Sequence, residues 1–432
     1  MDPKRLIIGA VLLLGLSGAL WWSNKQEPKP PSSAEDSPKV IEIPQDQITK
    51  IEIRRMGADP VVLVKGANWT IDAPKKIAAD GDAVSAIVSS LAVLSSERLV
   101  DEKTADFALY GLKSPILTLV VGRKDGKTHT LHFGDSAPSG SAVYARVEGE
   151  QRLFLVSSST KAGLEKTWRD LRDKRLLPFD SEKLTRVELG PIEFAKNNAN
   201  AWTIVKPLAL RADNFAAEEL VRKLKDAKME VTNDTEEESA IPAKFAAAKP
   251  VGIAKVTDNK GTMQIEVRAG KEKDFYAKSS AVEGIFKTTA ELGEGLAKGL
   301  DDFRNKKLFE FGFNQPETVE VKQGGATFLF TKSGADWKRG GKTMDPGSVQ
   351  QLIDRLRELT AAKFATAPAG APEAEYTVGK EKVLVNKQGD IYYARRANEP
   401  EIYVLDAKAV SEIKDLAAAA KEASPPAAAA KK

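Results

Sequence analysis

Three times the chain runs through a strand-like stretch, a Trp, a short gap, an Asp and then an amphipathic helix. Trp69, Trp202 and Trp337 fall at almost equal intervals, and Asp80, Asp213 and Asp345 each follow their Trp after a short gap. A period this regular marks a duplicated supersecondary unit, and it restricts the fold to tandem copies of one module.

In the first copy Ile48 to Ile53 alternates apolar and polar residues, as a half-buried strand does. Val61 to Val64 follows across the turn Gly57 to Pro60, and a third strand carries Trp69, which together make an antiparallel meander. Asp80 then opens a helix with Val84, Ile87, Val88, Leu91 and Leu94 on one face. The second copy has Leu184 to Leu189, Ala201 to Val205, and Asp213 ahead of Leu220, Val221 and Leu224. The third has Glu317 to Val321, Ala326 to Phe330 and Trp337, and its helix bears Val349, Leu352, Ile353, Leu356 and Leu359. Asp345-Pro346 is a strong helix start, because Asp accepts an orphan backbone N–H and Pro has none to leave unpaired. The three Asps therefore read as helix caps, with a ligand role as the alternative. The three Trps read as core anchors, with exposed stacking on a glycan or peptide as the alternative.

The back halves repeat as well. Strands at 116–121, 128–133, 144–146 and 153–156 precede a helix expected from about Thr160 to Lys174. The second copy answers with 252–256, 263–268, 276–278 and 284–287, then a helix ending at Phe303. The third has 382–385, 392–395 and 402–404 before a short helix. Arg172 and Arg304 recur at nearly the interval of the Trps, in LRDKRLLPFD and FRNKKLFEFG. They read as the turn joining one module to the next; an Arg pair for an anionic ligand is the alternative. The third copy lacks this motif. The fold class expected is α+β, tandem antiparallel meander-plus-helix modules preceded by one transmembrane helix.

Leu6 to Trp22 is seventeen residues without a charge. As a helix it would span about 26 Å, against a hydrocarbon core of roughly 30 Å. Lys4 and Arg5 precede it and Trp21-Trp22 end it, so the positive-inside rule places residues 1–5 in the cytoplasm and the remainder outside. A cleaved signal peptide shares these features. Ser17-Gly18-Ala19 is a poor cleavage site, so the segment reads as an uncleaved signal anchor, and the absence of Cys excludes a lipoprotein anchor. Residues 23–39 form a Pro-rich linker, extended by composition. Modules are expected at 40–180, 181–312 and 313–420, with a low-complexity tail at 421–432. The protein is thus placed at the cytoplasmic membrane, with its bulk periplasmic.

A net charge of +4 on a 29% charged chain, both signs interspersed, is not the concentrated basic face of a nucleic-acid binder. Gly122 to Thr128 places three residues between its glycines where a phosphate loop has four, and it joins two strands. The two histidines, His129 and His132, fall on opposite faces of one strand and cannot readily share a metal. Glu236-Glu237-Glu238 reads as a solvated loop. No catalytic, cofactor or metal residue is assigned.

The W…P…AD helix, the Tyr110-Gly111-Leu112-Lys-Ser-Pro115 turn, the Tyr144-Ala-Arg146 strand and the LRDKRLLPF junction together resemble the DUF4340 family. The first module carries the full pattern, the second lacks the Tyr-Gly-Leu turn, and the third is the most degraded. The resemblance implies a bacterial protein with one N-terminal membrane segment, encoded beside ABC transporters of the gliding-motility type and their auxiliary subunit. It brings no catalytic residues. Its implied partners are the permease and auxiliary subunits of such a complex, and the function expected is a non-enzymatic, extracytoplasmic accessory subunit. An envelope glycan- or peptide-binding module, and a carboxylate-based hydrolase, are the other readings.

Overall fold

Alternation of apolar and polar residues builds three large antiparallel sheets. In Ile48–Arg55, Ile48, Ile51 and Ile53 are buried while Lys50 and Arg54 are exposed, so one face meets a core and the other meets water. The structure, a computed structural model, describes residues 37–232, 235–366 and 370–423. The expected membrane helix at 6–22, nearly all of the linker and the end of the tail lie outside these. Among the described residues no helix is long and apolar enough to cross a membrane.

Each sheet has nine strands in one spatial order. The first runs Ile77–Ala78, Trp69–Ala73, Val61–Lys65, Ile48–Arg55, Leu117–Arg123, Thr128–Ser136, Ala142–Val147, Leu153–Ser157, Arg98–Asp101. The second runs Leu210–Arg211, Trp202–Lys206, Ile192–Lys196, Arg186–Leu189, Lys249–Asp258, Gly261–Ala269, Phe275–Ser279, Ile285–Thr288, Met229–Glu230. The third runs Lys342–Met344, Asp336–Arg339, Ala326–Ser333, Thr318–Gln323, Ala374–Val378, Glu381–Gln388, Ile391–Arg396, Ile402–Leu405, Lys363–Ala365. The chain thus makes one meander out to an edge, crosses beneath the sheet in a helix, lays a short strand on the far edge, and returns to fill the middle with a second meander.

The crossing helices are α1 (Gly81–Ala92), α2 (Asn214–Lys225) and α3 (Pro346–Arg357). Their buried positions correspond one for one: Val84, Ile87, Val88, Leu91; Ala217, Leu220, Val221, Leu224; Val349, Leu352, Ile353, Leu356. Full burial of each large aliphatic side chain contributes about 1.5–3 kcal/mol, which fixes the helix against its sheet. Each helix is capped by the expected Asp. Asp80 accepts from the Asp82 and Ala83 amides, Asp213 from Ala216, and Asp345 from Ser348.

The chain divides into two compact units with the break between Lys174 and Arg175. The first sheet lies in the first unit; the second and third sheets share the other.

Several local expectations change. The helix expected from Thr160 to Lys174 is two short ones, Ser158–Leu164 and Trp168–Leu171, separated where Thr167 forms a capping box with Asp170. Glu236 to Glu238 are not loop: they form the acidic first turn of the helix Thr235–Ala247, where the helix dipole favours them. The far-edge strands at 98, 229 and 363 are four, two and three residues long, too short to carry an apolar alternation to read.

Candidate functional site

The repeat contains a device that ties each helix at both ends. The residue before the helix cap pairs with a closing segment: Ala79 with Arg172, Ala212 with Arg304, and Met344 with Glu422. The capping Asp itself donates its backbone N–H into the same segment, to Leu171 O (2.7 Å), Phe303 O (2.7 Å) and Lys421 O (2.8 Å) respectively. The stretch after the helix pairs with the segment that leads into the module. Lys39–Glu42 pairs with Val93–Ser95, Arg175 with Lys228, and Lys307 with Thr360. Arg172 and Arg304 therefore occupy closing segments. In the third sheet Lys421 to Ala423 take that place despite sharing no motif, because backbone pairing asks for no particular side chain.

Within the second unit, Arg304 closes the second sheet only three residues before Lys307 opens the third. Here charged side chains converge. Arg304 Nε lies 3.0 Å from Glu401 Oε1, and its guanidinium carbon is 3.6 Å from the Phe364 ring centroid. The Tyr403 hydroxyl donates to Glu401 Oε2 at 3.2 Å and accepts from Arg211 Nη2 at 2.9 Å. Arg211 also reaches Glu399 (3.0 Å), Glu310 (3.1 Å) and the Lys307 carbonyl (2.6 Å). Arg396 completes the network, on Glu399 at 2.8 Å and Glu381 at 2.9 Å. Burial pushes the Tyr403 phenol up to about 12, against the lowering pull of Arg211. The acids here are each engaged by a guanidinium group, an arrangement suited to holding two sheets together.

Of these residues the sequence signalled only Arg304. Arg211 stands in the second edge strand opposite Thr203, where the first module has Ala78 opposite Thr70, so the repeat hides it as a variable position. The alternation Glu399-x-Glu401-x-Tyr403 was the readable signal, since residues two apart on an extended chain face one side.

Beside the joint an open cleft of about 480 Å³ is lined by Lys307, Glu310, Phe313 and Arg357 from one side and Asp213 and Phe215 from the other. Phe215 and Phe313 are 82% and 96% exposed.

The Trps do not form a platform. Trp202 and Trp337 are buried, and Trp69 is half-buried against the first core. Trp202 Nε1 donates to Glu218 at 2.6 Å, satisfying the indole from its own helix. His129 and His132 lie on opposite faces: His129 is in register with buried Val121, and His132 with Thr118 and Arg146. Among the described residues no group of acids or histidines is arranged to hold a metal.

In the first unit the remaining motifs meet one another. Gly111 has φ +67° and ends the turn Phe107–Tyr110, and a side chain on Gly134 would strike the Tyr110 carbonyl at 2.1 Å. Bare backbone there lets the turn lie on the sheet, with Tyr110 against Tyr144 (4.8 Å) and Arg146 over Phe107 (4.4 Å). The second sheet fills this place with the helix Thr235–Ala247, whose Phe245 lies under Arg268 at 4.5 Å.

No curated protein and no solved structure matches the chain. The family described as a domain of unknown function, DUF4340, matches residues 69–200 and 202–381. Its first match begins at Trp69 and its second at Trp202, the anchors of the first two copies, and because these matches span most of the chain, the protein belongs to the DUF4340 family.

Proposed function

We propose that the protein is a non-catalytic interaction subunit, held outside the cytoplasmic membrane by a single signal-anchor helix at 6–22 and working within an ABC-type transport complex. The observation that carries the interaction role is the pair of exposed phenyl rings on the cleft beside the joint of the second and third sheets. Exposed apolar surface bordered by polar groups is what a binding partner covers. The ionic groups beside it serve an architectural purpose, fixing the two sheets that frame the cleft. The apolar run behind Lys4-Arg5 supports the anchor, and the family resemblance supports the company of an ABC permease and its auxiliary subunit.

The experiment is affinity purification of the tagged full chain from detergent-solubilised membranes of its own host. Permease and ATPase subunits recovered at constant stoichiometry are the expected result. Recovery of the chain alone, under conditions that keep other ABC complexes intact, overturns the reading. The glycan-stacking alternative drew on the Trps, and two of the three are buried.

A further inference from the structure

We infer that an aliphatic cleft on the second sheet is a binding site for a single acyl chain ending in a carboxylate, as in a free fatty acid. It shares no lining residue with the cleft beside the joint, so it stands whether or not a transport complex is recovered.

Three backbone features build its walls. Gly190, at φ +54°, turns the hairpin from Arg186–Leu189 into Ile192–Lys196, and its N–H donates to Ile253 O at 2.9 Å. Gly252 lies in the strand Lys249–Asp258, where a Cβ would meet Leu296 O at 2.7 Å; bare backbone lets the helix Ala290–Leu296 close on the strand. Beyond that helix the Gly299 N–H donates to Asp302 Oδ2 at 2.8 Å, fixing the chain as it turns into Leu300–Phe303. Between these walls lies a cleft of about 330 Å³, at the small end of the roughly 300–1,000 Å³ usual for ligand pockets. Because the supports are in place without a ligand, little ordering is left to oppose binding.

The lining selects the ligand. Leu189, Ile192, Pro207, Val251, Leu296 and Leu300 supply aliphatic surface, and Lys298 alone among the lining residues has a polar side chain. A sugar would give up its hydrogen bonds to water with no other side chain to replace them. No aromatic ring lines the cleft, so a nucleobase finds nothing to stack on. A hydrocarbon chain needs only the burial and dispersion that these walls offer. Apolar surface continues at Leu208 and Ile253, 63% and 42% exposed and next in the chain to Pro207 and Gly252. A cleft this small takes one chain, not the two of a membrane phospholipid.

Charge sets the end group, because one cation and no anion line the cleft. Lys298 Nζ lies 5.9 Å from the Phe303 ring centroid and makes no ion pair among the described residues. Glu219, whose carboxylate senses the Lys298 charge, pairs with Arg222 at 2.9 Å and Lys223 at 3.8 Å and lines no part of the cleft. Asp301 and Asp302 are likewise outside the lining. A carboxylate at the end of the chain complements the one lysine.

The test is photolabelling of the full chain in phosphatidylcholine nanodiscs at neutral pH with a diazirine analogue of decanoate, followed by peptide mapping. Label is expected at Leu189 to Ile192, around Gly252 and at Leu296 to Leu300. Unlabelled decanoate should suppress it at a concentration at least tenfold below that of decanol or decyltrimethylammonium. Ala297→Phe, which fills the cleft from an exposed position, should lower the labelling at least tenfold, and Met56→Ala in the first unit should leave it unchanged. Lys298→Glu should reverse the preference, so that decyltrimethylammonium competes better than decanoate; this reversal decides the matter even if circular dichroism melting shows Ala297→Phe to be misfolded. Label spread along the chain, label at the cleft beside the joint, decanol competing as well as decanoate, or a head-group preference unmoved by Lys298→Glu overturns the inference. So does suppression by phosphatidylglycerol vesicles but not by decanoate, which would mark a membrane-binding surface instead.

Discussion

Arg304 and Glu401 are separated by 97 residues in the chain, yet the guanidinium Nε and carboxylate Oε1 lie 3.0 Å apart, with the Glu401 side chain 2% exposed. One belongs to the segment that closes the second sheet, the other to the stretch leading into the last long strand of the third. The contact turns two copies of a repeat into one compact unit. In the second sheet the position matching Glu401, ahead of Ile285–Thr288, is Gly284.

Breaking this pair from one side should be costly. Glu401→Ala removes the buried partner of a mostly buried guanidinium and leaves it only the exposed Asp301 at 3.0 Å, and a loss of up to about 3–5 kcal/mol is expected. Arg304→Leu with Glu401→Leu should lose much less, since neither charge is then stranded. Hydrogen–deuterium exchange mass spectrometry checks both: protection should fall across 175–423 and stay unchanged across 37–174. Equal destabilisation of the two units would contradict the assignment of this contact to the second.

The helix caps offer a graded prediction. Asp213→Ala should cost about 1 kcal/mol and Asp213→Ser only a fraction of that, because Ser also accepts from the helix N–H. The same order should hold at Asp80 and Asp345, which accept from their own first-turn amides. Urea denaturation with each variant supplies the comparison; a Ser variant as damaged as the Ala variant would point to some role beyond capping.

Gly134 and Gly111 separate steric from conformational cost. A methyl at Gly134 meets the Tyr110 backbone carbonyl at 2.1 Å, so the turn must lift from the sheet, at about 1–3 kcal/mol. At Gly111 the nearest atoms belong to the exposed Asp135 side chain, which can swing away, leaving mainly the strain of φ +67°, about 1 kcal/mol. Gly134→Ala should therefore lower the melting temperature more than Gly111→Ala, and the opposite order would show that the turn is not seated as described.

Burial lowers the pKa of His132, and the nearby Arg146 lowers it further, with Glu148 opposing. A folded value below the unfolded one, about 6.5, means that the neutral ring is favoured in the fold. Its contribution to stability is then complete above about 6.5 and is lost as pH falls through the folded value. With only two histidines in the chain, NMR titration against a His129→Gln variant isolates the ring. A midpoint below about 6.5, and a flatter acid limb of stability in His132→Gln, are expected; a midpoint at or above the unfolded value would refute the burial argument.

Much of the architecture was legible because it rests on local periodicity. Val84, Ile87, Val88 and Leu91 name a helix face from spacing alone, and Asp345-Pro346 names the helix start from the acceptor that Asp supplies and the donor that Pro lacks. The far-edge strands were not legible: Met229–Glu230 is two residues long, and what makes it a strand is Ile285–Thr288 beside it. The candidate cleft was hidden for a related reason. Phe215 and Phe313 come from different copies of the repeat, and nothing in either neighbourhood says that an aromatic residue remains uncovered.

The unit, its repetition and its family could be read from the residues in order. The even spacing of Trp69, Trp202 and Trp337 marks the duplication in the residue order itself, and the capped helices and alternating strands follow from propensities that act within a few residues. It took the folded chain to bring Arg211 and Arg304 onto Glu399, Glu401 and Tyr403, to close the last sheet with Lys421 to Ala423 in place of the motif, and to set two phenyl rings on one cleft. Backbone pairing is indifferent to side-chain identity, and contacts between sheets depend on how whole sheets pack. Neither leaves a periodic mark on the chain.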